Sequence, residues 1–240
     1  MIHVSFNPTL ECNIRCPYCW LDEAGVDRSV LGLPAQTWID WLESIAQPLA
    51  VDICGGEPLL YDGLSEIIRF AESGIHRWAI TTNLTLPSWE LLKQPFHYNN
   101  IINISYHDRD FFFEQVDRAE YIRAAGNTVG WNFVQDTGED YTWPLSVLEA
   151  REFKVNWTPY AAPLENYFEE QGWKCDGGHK SLWLAPNGDV YRCWTHVKSK
   201  ASPVGSILHD FIGQPMEHIP CGLVCELPQR MGCCGVKVWR

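Results

Sequence analysis

Three cysteines near the start of the chain have the residue type and spacing of a metal-cluster site. Cys12, Cys16 and Cys19 lie in one short segment with the pattern C-x3-C-x2-C. Three thiolates on one loop can hold three corners of a cubane iron–sulfur cluster and leave the fourth iron without a protein ligand. An open metal position is typical of a catalytic site, whereas structural metal sites are closed. The spacing therefore favours a catalytic iron–sulfur centre.

Two other interpretations of these cysteines stay open on spacing alone. They could belong to a zinc site, although structural zinc prefers paired cysteine knuckles with a fourth ligand. They could form disulfides, but the first seven residues have neither the basic region nor the long apolar run of a signal peptide. We therefore expect a cytoplasmic protein in which these thiols are reduced.

A second motif follows about 35 residues later, at the end of an apolar run. It consists of Gly55, Gly56, Glu57 and Pro58. Glycines allow the backbone to approach a ligand closely and to offer carbonyl acceptors. The carboxylate of Glu57 could pair with an ammonium group or with an arginine. Such a segment is also common in ordinary turns. It indicates a functional site only because it follows the three cysteines.

Together the two motifs resemble the signature of the radical S-adenosylmethionine (radical SAM) superfamily. The resemblance implies a [4Fe–4S] cluster on Cys12, Cys16 and Cys19, whose free iron chelates SAM. It also implies that the GGEP-like segment binds the amino group of SAM through its backbone. An electron donor such as flavodoxin or ferredoxin is a further implied partner. We expect a bulky residue at Gly56 to keep the iron and abolish SAM binding.

Composition excludes several other classes of protein. The chain has 240 residues, of which 46% are hydrophobic, and a net charge of −12. It has no basic block of the kind that nucleic acid binding requires, and no run long enough to cross a membrane. We therefore expect neither nucleic acid nor membrane as a partner.

Cys54 lies inside an apolar run and is predicted to be a buried small hydrophobic residue.

Strand and helix patterns alternate up to about residue 160, which predicts an α/β fold with a parallel sheet and helices outside. Trp38, Trp41 and Ile45 form a helical stripe that should face the core. Six units are too few for a closed eight-stranded barrel, and the family resemblance implies an open partial (β/α)6 barrel at 1–160. The predicted strands are 3–7, 50–54, 78–82, 101–106, 128–134 and 153–158, and the predicted helices are 34–47, 63–73, 88–93, 111–125 and 144–151.

Further cofactor residues are implied by the family resemblance at the ends of the strands. Tyr18 precedes the third cysteine, where a bulky residue packs by the adenine. Thr82 and Asn83 resemble the family's Thr-Asn-Gly, with Leu84 in place of the glycine. Two more polar residues would contact the ribose or carboxylate of SAM. They are Ser105 at the end of strand four and Asn132 at the end of strand five. Ordinary capping of strand ends is the alternative for each polar residue.

A second group of cysteines lies in a predicted C-terminal domain at 161–240. Cys175 and Cys193 flank a Pro-Asn-Gly-Asp segment that predicts a β-hairpin. The spacing C-x12-G-x4-C resembles the opening of the SPASM and twitch extensions, which implies one auxiliary [4Fe–4S] cluster, as in twitch proteins. The expected ligands are Cys175, Cys193, Cys221 and Cys225. Cys233 or Cys234 could replace one of the last two, and a zinc ribbon is the alternative centre.

The resemblance implies an enzyme that cleaves SAM reductively and abstracts hydrogen from a substrate. The small size and single auxiliary cluster resemble family members that oxidise small molecules, so a small molecule is the expected substrate. Modification of a ribosomally made peptide, activation of a glycyl-radical enzyme and a non-enzymatic zinc-binding module are the alternatives. The polar residues expected to face the substrate are His107, Asp108, Gln135 and Tyr160.

Overall fold

A nine-stranded sheet forms the centre of the protein in the computed structural model. The structure describes residues 1–23, 25–95, 100–107, 109–134, 138, 140–158, 174–175, 181–209 and 238–239. Six parallel strands run in chain order across the sheet. They are β1 (Ile2–Thr9), β2 (Leu49–Gly55), β3 (Arg77–Thr82), β4 (Ile101–Ser105), β5 (Thr128–Val134) and β6 (Lys154–Thr158).

Helices connect these strands, as the alternating pattern predicts. They are α1 (Trp20–Glu23), α2 (Ala35–Ser44), α3 (Leu64–Ser73), α4 (Phe112–Ala124) and α5 (Thr142–Ala150), with short 3-10 helices at Pro58–Leu60, Pro87–Lys93 and Arg109–Phe111. The predicted α/β class, with a parallel sheet in an open partial barrel, is therefore confirmed.

The predicted hairpin also forms, and it joins the main sheet. It consists of β8 (Ser181–Leu184) and β9 (Asp189–Tyr191), and β8 pairs in parallel with β1. Gly188 has φ +87° in the turn, a conformation that glycine adopts without strain. Four elements complete the described part. They are α6 (Trp194–Lys198), β10 (Gly205–Ser206), which pairs with β9, and the strands β7 (Lys174–Cys175) and β11 (Val238–Trp239), which pair with each other. The domain boundary at 160/161 stays a prediction.

One face of the parallel sheet packs against the helices and forms the core. Trp38, Trp41 and Ile45 are buried there, and the ring of Trp38 lies 4.5 Å from that of Phe6 on β1. Their predicted core-facing stripe is therefore confirmed. Among the described residues, no helix is long and apolar enough to cross a membrane.

The opposite face of the sheet is lined by polar side chains, because side chains alternate along each strand. Buried apolar residues such as Val51 and Ile53 alternate with Asp52 and Cys54 on β2. We call this lining the polar inner face. It comprises Ser5, Asn7, Asp52, Cys54, Thr81, Asn103, Ser105, Asn132 and Asn156.

The prediction for Cys54 was wrong, and the alternation explains why. Its side chain is only partly buried and lies on the polar inner face. Its Sγ lies 3.1 Å from Oγ of Ser5 and 3.4 Å from Oδ1 of Asn7. An apolar run of sequence does not reveal which of its residues face the helices.

Candidate active site

The three N-terminal cysteines lie on the loop that follows β1. All three are partly exposed and none forms a disulfide. A turn holds the loop, in which the backbone N–H of Cys19 donates to the carbonyl of Cys16 at 3.0 Å. Burial, followed by the charges of Cys19 and Cys12, raises the pKa of the Cys16 thiol to about 12. Burial likewise raises the pKa of the Cys12 thiol. A strongly positive metal centre would offset this cost, because it stabilises thiolates.

The donor set fits an iron–sulfur cluster by this chemistry. Among the described residues, no three Cys, His, Asp or Glu side chains converge on one position for a single metal ion. A cubane does not require such convergence, because each thiolate binds a different iron.

The GGEP segment packs against the chain that leads into the cysteine loop. The N–H of Gly56 donates to the carbonyl of Thr9 at 3.0 Å, and the N–H of Glu57 donates to that of Glu11 at 2.7 Å. A Cβ on Gly55, which has φ +118°, would lie 2.4 Å from the oxygen of Thr9, and one on Gly56 would lie 1.9 Å from that of Glu11. These glycines are therefore required by the close approach of two protein backbones, a constraint that the local sequence does not reveal.

The carboxylate of Glu57 braces the ends of β2 and β3. It is buried and accepts hydrogen bonds from the hydroxyl of Thr82 at 2.6 Å, from the N–H of Asn83 at 2.7 Å and from the N–H of Leu59 at 3.0 Å. Burial raises the pKa of Glu57 to about 7, and the three donors partly offset this effect. The expected ammonium or arginine partner is thus replaced in the structure by a hydroxyl and two backbone groups. Pro58 is buried in the first turn of the 3-10 helix that follows.

The turn after β3 contacts the cysteine loop directly. The amide nitrogen of Asn83 donates to Oδ1 of Asn13 at 2.9 Å and lies 3.9 Å from Sγ of Cys12. Asn13 in turn donates to the hydroxyl of Thr85 at 2.7 Å. These contacts connect the loop to β3 through side chains on both segments.

The chain departs from the Thr-Asn-Gly pattern at Leu84, which takes the place of the glycine. It has φ +54°, the left-handed region in which glycine is favoured and a larger residue is strained. Its N–H donates to the hydroxyl of Thr82 at 2.9 Å, and its carbonyl accepts from Nη1 of Arg118 at 2.6 Å. The leucine is fully buried, so the backbone keeps a glycine-like turn while the side chain fills the core.

Tyr18 and His107 face each other across the site. The hydroxyl of Tyr18 lies 3.2 Å from Nδ1 of His107, and the two ring centroids are 5.9 Å apart. Burial lowers the pKa of His107 to about 4, so this imidazole is neutral at pH 7. In that form it can position another group by hydrogen bonding but does not supply a proton from an imidazolium.

Ser105 and Asn132 are neighbours on the polar inner face. They are directly opposite each other in the register of β4 and β5. The side-chain oxygen of Asn132 accepts a hydrogen bond from Asn156 at 3.3 Å. The structure therefore brings the two residues together, and a role of each in SAM binding stays a prediction.

The Radical SAM superfamily profile matches residues 6–129, which is just over half of the chain and contains the cysteine loop and the GGEP segment. The chain belongs to the radical SAM superfamily. Two curated relatives illustrate the match. The subtilosin biosynthesis protein AlbA of Bacillus subtilis is 22% identical over 87% of this chain and 58% of its own length. A GTP 3′,8-cyclase of Stenotrophomonas maltophilia is 37% identical over 34% of this chain and 28% of its own length.

Solved radical SAM structures share the fold. SuiB of Streptococcus suis bound to its precursor peptide SuiA has a TM-score of 0.63 at 16% identity, covering 88% of this chain and 63% of SuiB. The protein anSMEcpe with bound AdoMet has a TM-score of 0.63 at 15% identity, covering 88% of this chain and 79% of anSMEcpe. The chain thus spans less than two thirds of the length of AlbA and of SuiB.

One contact of this radical SAM site was missed by sequence reasoning. Nη2 of Arg28 donates to Sγ of Cys19 at 3.0 Å, and the same guanidinium is paired with Asp22. Nothing in the spacing of the motif indicates an arginine nine residues after the third cysteine. Only the fold of the loop brings the two together.

The C-terminal cysteine site is only partly within the described residues. Cys193 is buried after β9, and Cys175 lies in β7 opposite Val238 of β11. Near Cys193, both ring nitrogens of His196 are buried without a hydrogen-bond partner among the described residues. The remaining predicted residues lie outside the described part of the chain: Asp108, Gln135, Tyr160, Cys221, Cys225, Cys233 and Cys234.

Proposed function

We propose that this radical SAM protein is an enzyme in which Cys12, Cys16 and Cys19 hold a [4Fe–4S] cluster that binds SAM. When bound and reduced, the cluster supplies the electron that cleaves SAM to methionine and a 5′-deoxyadenosyl radical. The observation that carries the proposal is the cysteine loop itself. Its three reduced, partly exposed thiols are held against the ends of β2 and β3 by Glu57 and Asn83.

The described residues would hold SAM by fixing the shape of the site. The backbone at Gly55 and Gly56, followed by Pro58, is bonded to the chain that leads into the loop and would offer its carbonyls to SAM, and the buried Glu57 carboxylate keeps Thr82 and Asn83 in place. Groups that are already bonded to one another need little reorganisation when a charged ligand binds. We assign SAM binding to this segment together with Tyr18, Ser105 and Asn132.

The polar inner face supports a substrate that makes hydrogen bonds. Asp52 accepts a hydrogen bond from Thr81 at 3.3 Å, and burial raises the pKa of its carboxyl to about 7. Carboxyl, hydroxyl and amide groups on one surface can orient a polar molecule by donors and acceptors. The neutral His107 would then orient rather than protonate the substrate, beside the predicted contacts Asp108, Gln135 and Tyr160.

Two substrate classes fit this surface. A small molecule is the class expected from the sequence. A peptide is favoured equally by the comparisons, because AlbA is a bacteriocin biosynthesis protein and SuiB and anSMEcpe have been crystallised with peptides. Co-expression with any short peptide encoded beside the gene, followed by mass spectrometry of that peptide, separates the classes. A mass change that requires Cys12, Cys16 and Cys19 would assign the peptide class.

We also propose an auxiliary [4Fe–4S] cluster in the C-terminal region, with Cys175, Cys193, Cys221 and Cys225 as ligands. Burial of Cys193 and of the unpartnered ring nitrogens of His196 supports a metal centre there. Cys175→Ala and Cys193→Ala should each lower the iron content by about four and keep SAM cleavage. Unchanged iron in both variants would remove the auxiliary cluster from the proposal.

The test of the main proposal is anaerobic reconstitution followed by measurement of iron, zinc and 5′-deoxyadenosine. The protein should be brown, contain about eight irons for two clusters, and form 5′-deoxyadenosine from SAM under reducing conditions. A colourless protein that contains zinc and no iron would establish the zinc-binding module instead.

A further inference from the structure

Arg28 is a buried cation behind the cysteine loop. Only 10% of its side chain is exposed. Its Nε donates to Oδ1 of Asp22 at 3.0 Å, and its Nη2 pairs with Oδ2 of Asp22 at 2.7 Å. One edge of the guanidinium is therefore fully used by this carboxylate, in the bidentate arrangement that holds an arginine in one orientation.

The other edge of the guanidinium faces the predicted cluster ligand. Nη2 donates its second N–H to Sγ of Cys19 at 3.0 Å. The guanidinium is planar, and one N–H of Nη1 runs parallel to this N–H of Nη2. Arg28 thus directs a pair of donors toward the side on which Cys19 lies.

The second donor of that pair has no acceptor in the described protein. Nη1 of Arg28 is buried and makes no hydrogen bond with any described residue. Leaving a buried charged donor unpaired is costly, and such atoms in native proteins usually have a partner. An acceptor that arrives with a bound cofactor would satisfy this atom.

We propose that Arg28 is a positioning residue for the cluster, donating from Nη2 to the thiolate of Cys19 and from Nη1 to an anionic acceptor of the bound cofactors. That acceptor is either an inorganic sulfide of the cluster or the carboxylate of SAM. The inference rests on the proposed function, because it requires the cluster on Cys19. Asp22 holds the guanidinium in the orientation that both contacts need.

Such a contact favours the reduced cluster. Hydrogen bonds to the sulfurs and the net charge around a cluster set its reduction potential. The reduced cluster carries one more negative charge, so a cationic donor at Cys19 stabilises it more than the oxidised form. Arg28 therefore raises the potential and makes reduction by the electron donor easier.

The experiment compares reconstituted wild type with Arg28→Gln and Arg28→Lys. Arg151→Lys is the control, because Arg151 is also ion-paired, with Glu120 at 3.1 Å, but lies on the helical side of the sheet. The readouts are iron content, the dissociation constant of SAM and the midpoint potential of the electron paramagnetic resonance signal that disappears when Cys12, Cys16 and Cys19 are replaced.

In Arg28→Gln the equilibrium constant for reduction should fall about tenfold, which lowers a one-electron potential by about 59 mV. Arg28→Lys keeps the charge without the paired donors and should show a smaller fall, while Arg151→Lys should match the wild type. If the dissociation constant of SAM rises about tenfold as well, the acceptor of Nη1 is the SAM carboxylate. If it is unchanged while the potential falls, the acceptor is a cluster sulfide.

Wild-type potentials in both Arg28 variants would overturn the inference and leave Arg28 as an ion pair that shapes the loop. If Arg28→Gln loses its cluster, the test rests on Arg28→Lys. A lowered midpoint potential in Arg28→Lys supports the inference, and an unchanged potential overturns it. Absence of iron from the wild type would defeat the proposed function and this inference together, and it is seen before any variant is compared.

Discussion

The two halves of the parallel sheet are stabilised in different ways at the ends of their strands. The ends of β1, β2 and β3 are tied together by buried hydrogen bonds, with Glu57 bonded to Thr82, Asn83 and the carbonyl of Glu11. From β4 onward, the face of the sheet that packs against the helices is stabilised by contacts between aromatic rings. Tyr106 stacks on Phe133 with centroids 5.0 Å apart.

The polar inner face also differs between the two halves, and in the second half it carries no acidic residue among those named above. Its side chains there are neutral, namely Asn103, Ser105, Asn132 and Asn156, and a Cβ at Gly130 would lie 3.3 Å from Oδ1 of Asn103. The first half is thus organised before any ligand binds, whereas the second half offers neutral donors and acceptors. We propose that the first half fixes the cluster and most of SAM, that Ser105 and Asn132 reach SAM from the second half, and that the other neutral groups there face a variable polar substrate.

The largest effect should come from the cysteine loop of the first half. Replacing Cys12, Cys16 and Cys19 together by alanine removes all three thiolates and should lower the iron content by about four. Formation of 5′-deoxyadenosine from SAM should stop completely, as measured by chromatography. Cys54→Ser, on the inner face, should retain all of the iron. Full iron content in the triple variant would contradict the assignment.

The next effect tests the close packing of the GGEP segment. Gly56→Ala places a Cβ 1.9 Å from the carbonyl oxygen of Glu11, next to Cys12. We expect it to lower the free energy of unfolding by about 1–3 kcal/mol and to lower the iron content as well. This revises the expectation that a larger residue here affects SAM alone.

Gly74→Ala is the matched control for that substitution, because the Cβ would lie 3.5 Å from the nearest atom, an ordinary contact. Denaturant unfolding and iron analysis of both variants provide the measurement. Normal iron with reduced SAM affinity in Gly56→Ala would restore the original expectation.

A smaller effect should follow from weakening the brace between β2 and β3. Glu57→Gln keeps the shape of the side chain but replaces one acceptor oxygen by a donor facing Thr82 or the N–H of Asn83. Loss of one buried acceptor should cost about 1–3 kcal/mol of unfolding free energy, and SAM should bind more weakly. Glu114→Gln, which breaks an exposed pair with Arg118, should cost less than about 1 kcal/mol. Equal losses in the two variants would show that the brace is unimportant.

The smallest effect concerns the ionisable group of the inner face. Burial raises the pKa of Asp52 from 3.8 to about 7, so the folded protein holds this proton more tightly than the unfolded chain. The corresponding stabilisation is complete below about pH 4 and is lost as the pH rises through about 7. One unit of pKa difference corresponds to about 1.4 kcal/mol of unfolding free energy. Because solvent still reaches part of the Asp52 side chain, we expect only about one unit of the shift to appear as a change in stability.

Asp52→Asn should therefore lose less stability than the wild type between pH 5 and pH 8, because asparagine mimics the protonated form. Unfolding by denaturant at both pH values measures the difference. Asp40→Asn on the exposed side of α2 is the control and should follow the wild type. The same pH dependence in Asp52→Asn and in wild type would assign the carboxyl an ordinary pKa.

The sequence by itself determined the order and type of the main elements. All six parallel strands were predicted within a few residues, because short apolar runs alternate with helical stripes such as that of Trp38 and Trp41. The cysteine spacing and the GGEP segment also identified the family, since both are local patterns whose chemistry depends on neighbours in the chain. The predicted helix at 88–93 is a 3-10 helix, Pro87–Lys93, a difference that apolar spacing does not resolve.

Only the tertiary structure decided which groups meet. Glu57 bonds to Thr82 and Arg28 reaches Cys19 because separate segments are folded together, and these contacts have no signature in spacing. The same holds for Cys54, whose polar surroundings depend on the face of β2 that it occupies. Leu84 shows the principle most clearly. Its type argues against a left-handed turn, yet full burial of the leucine side chain and two backbone hydrogen bonds stabilise that conformation.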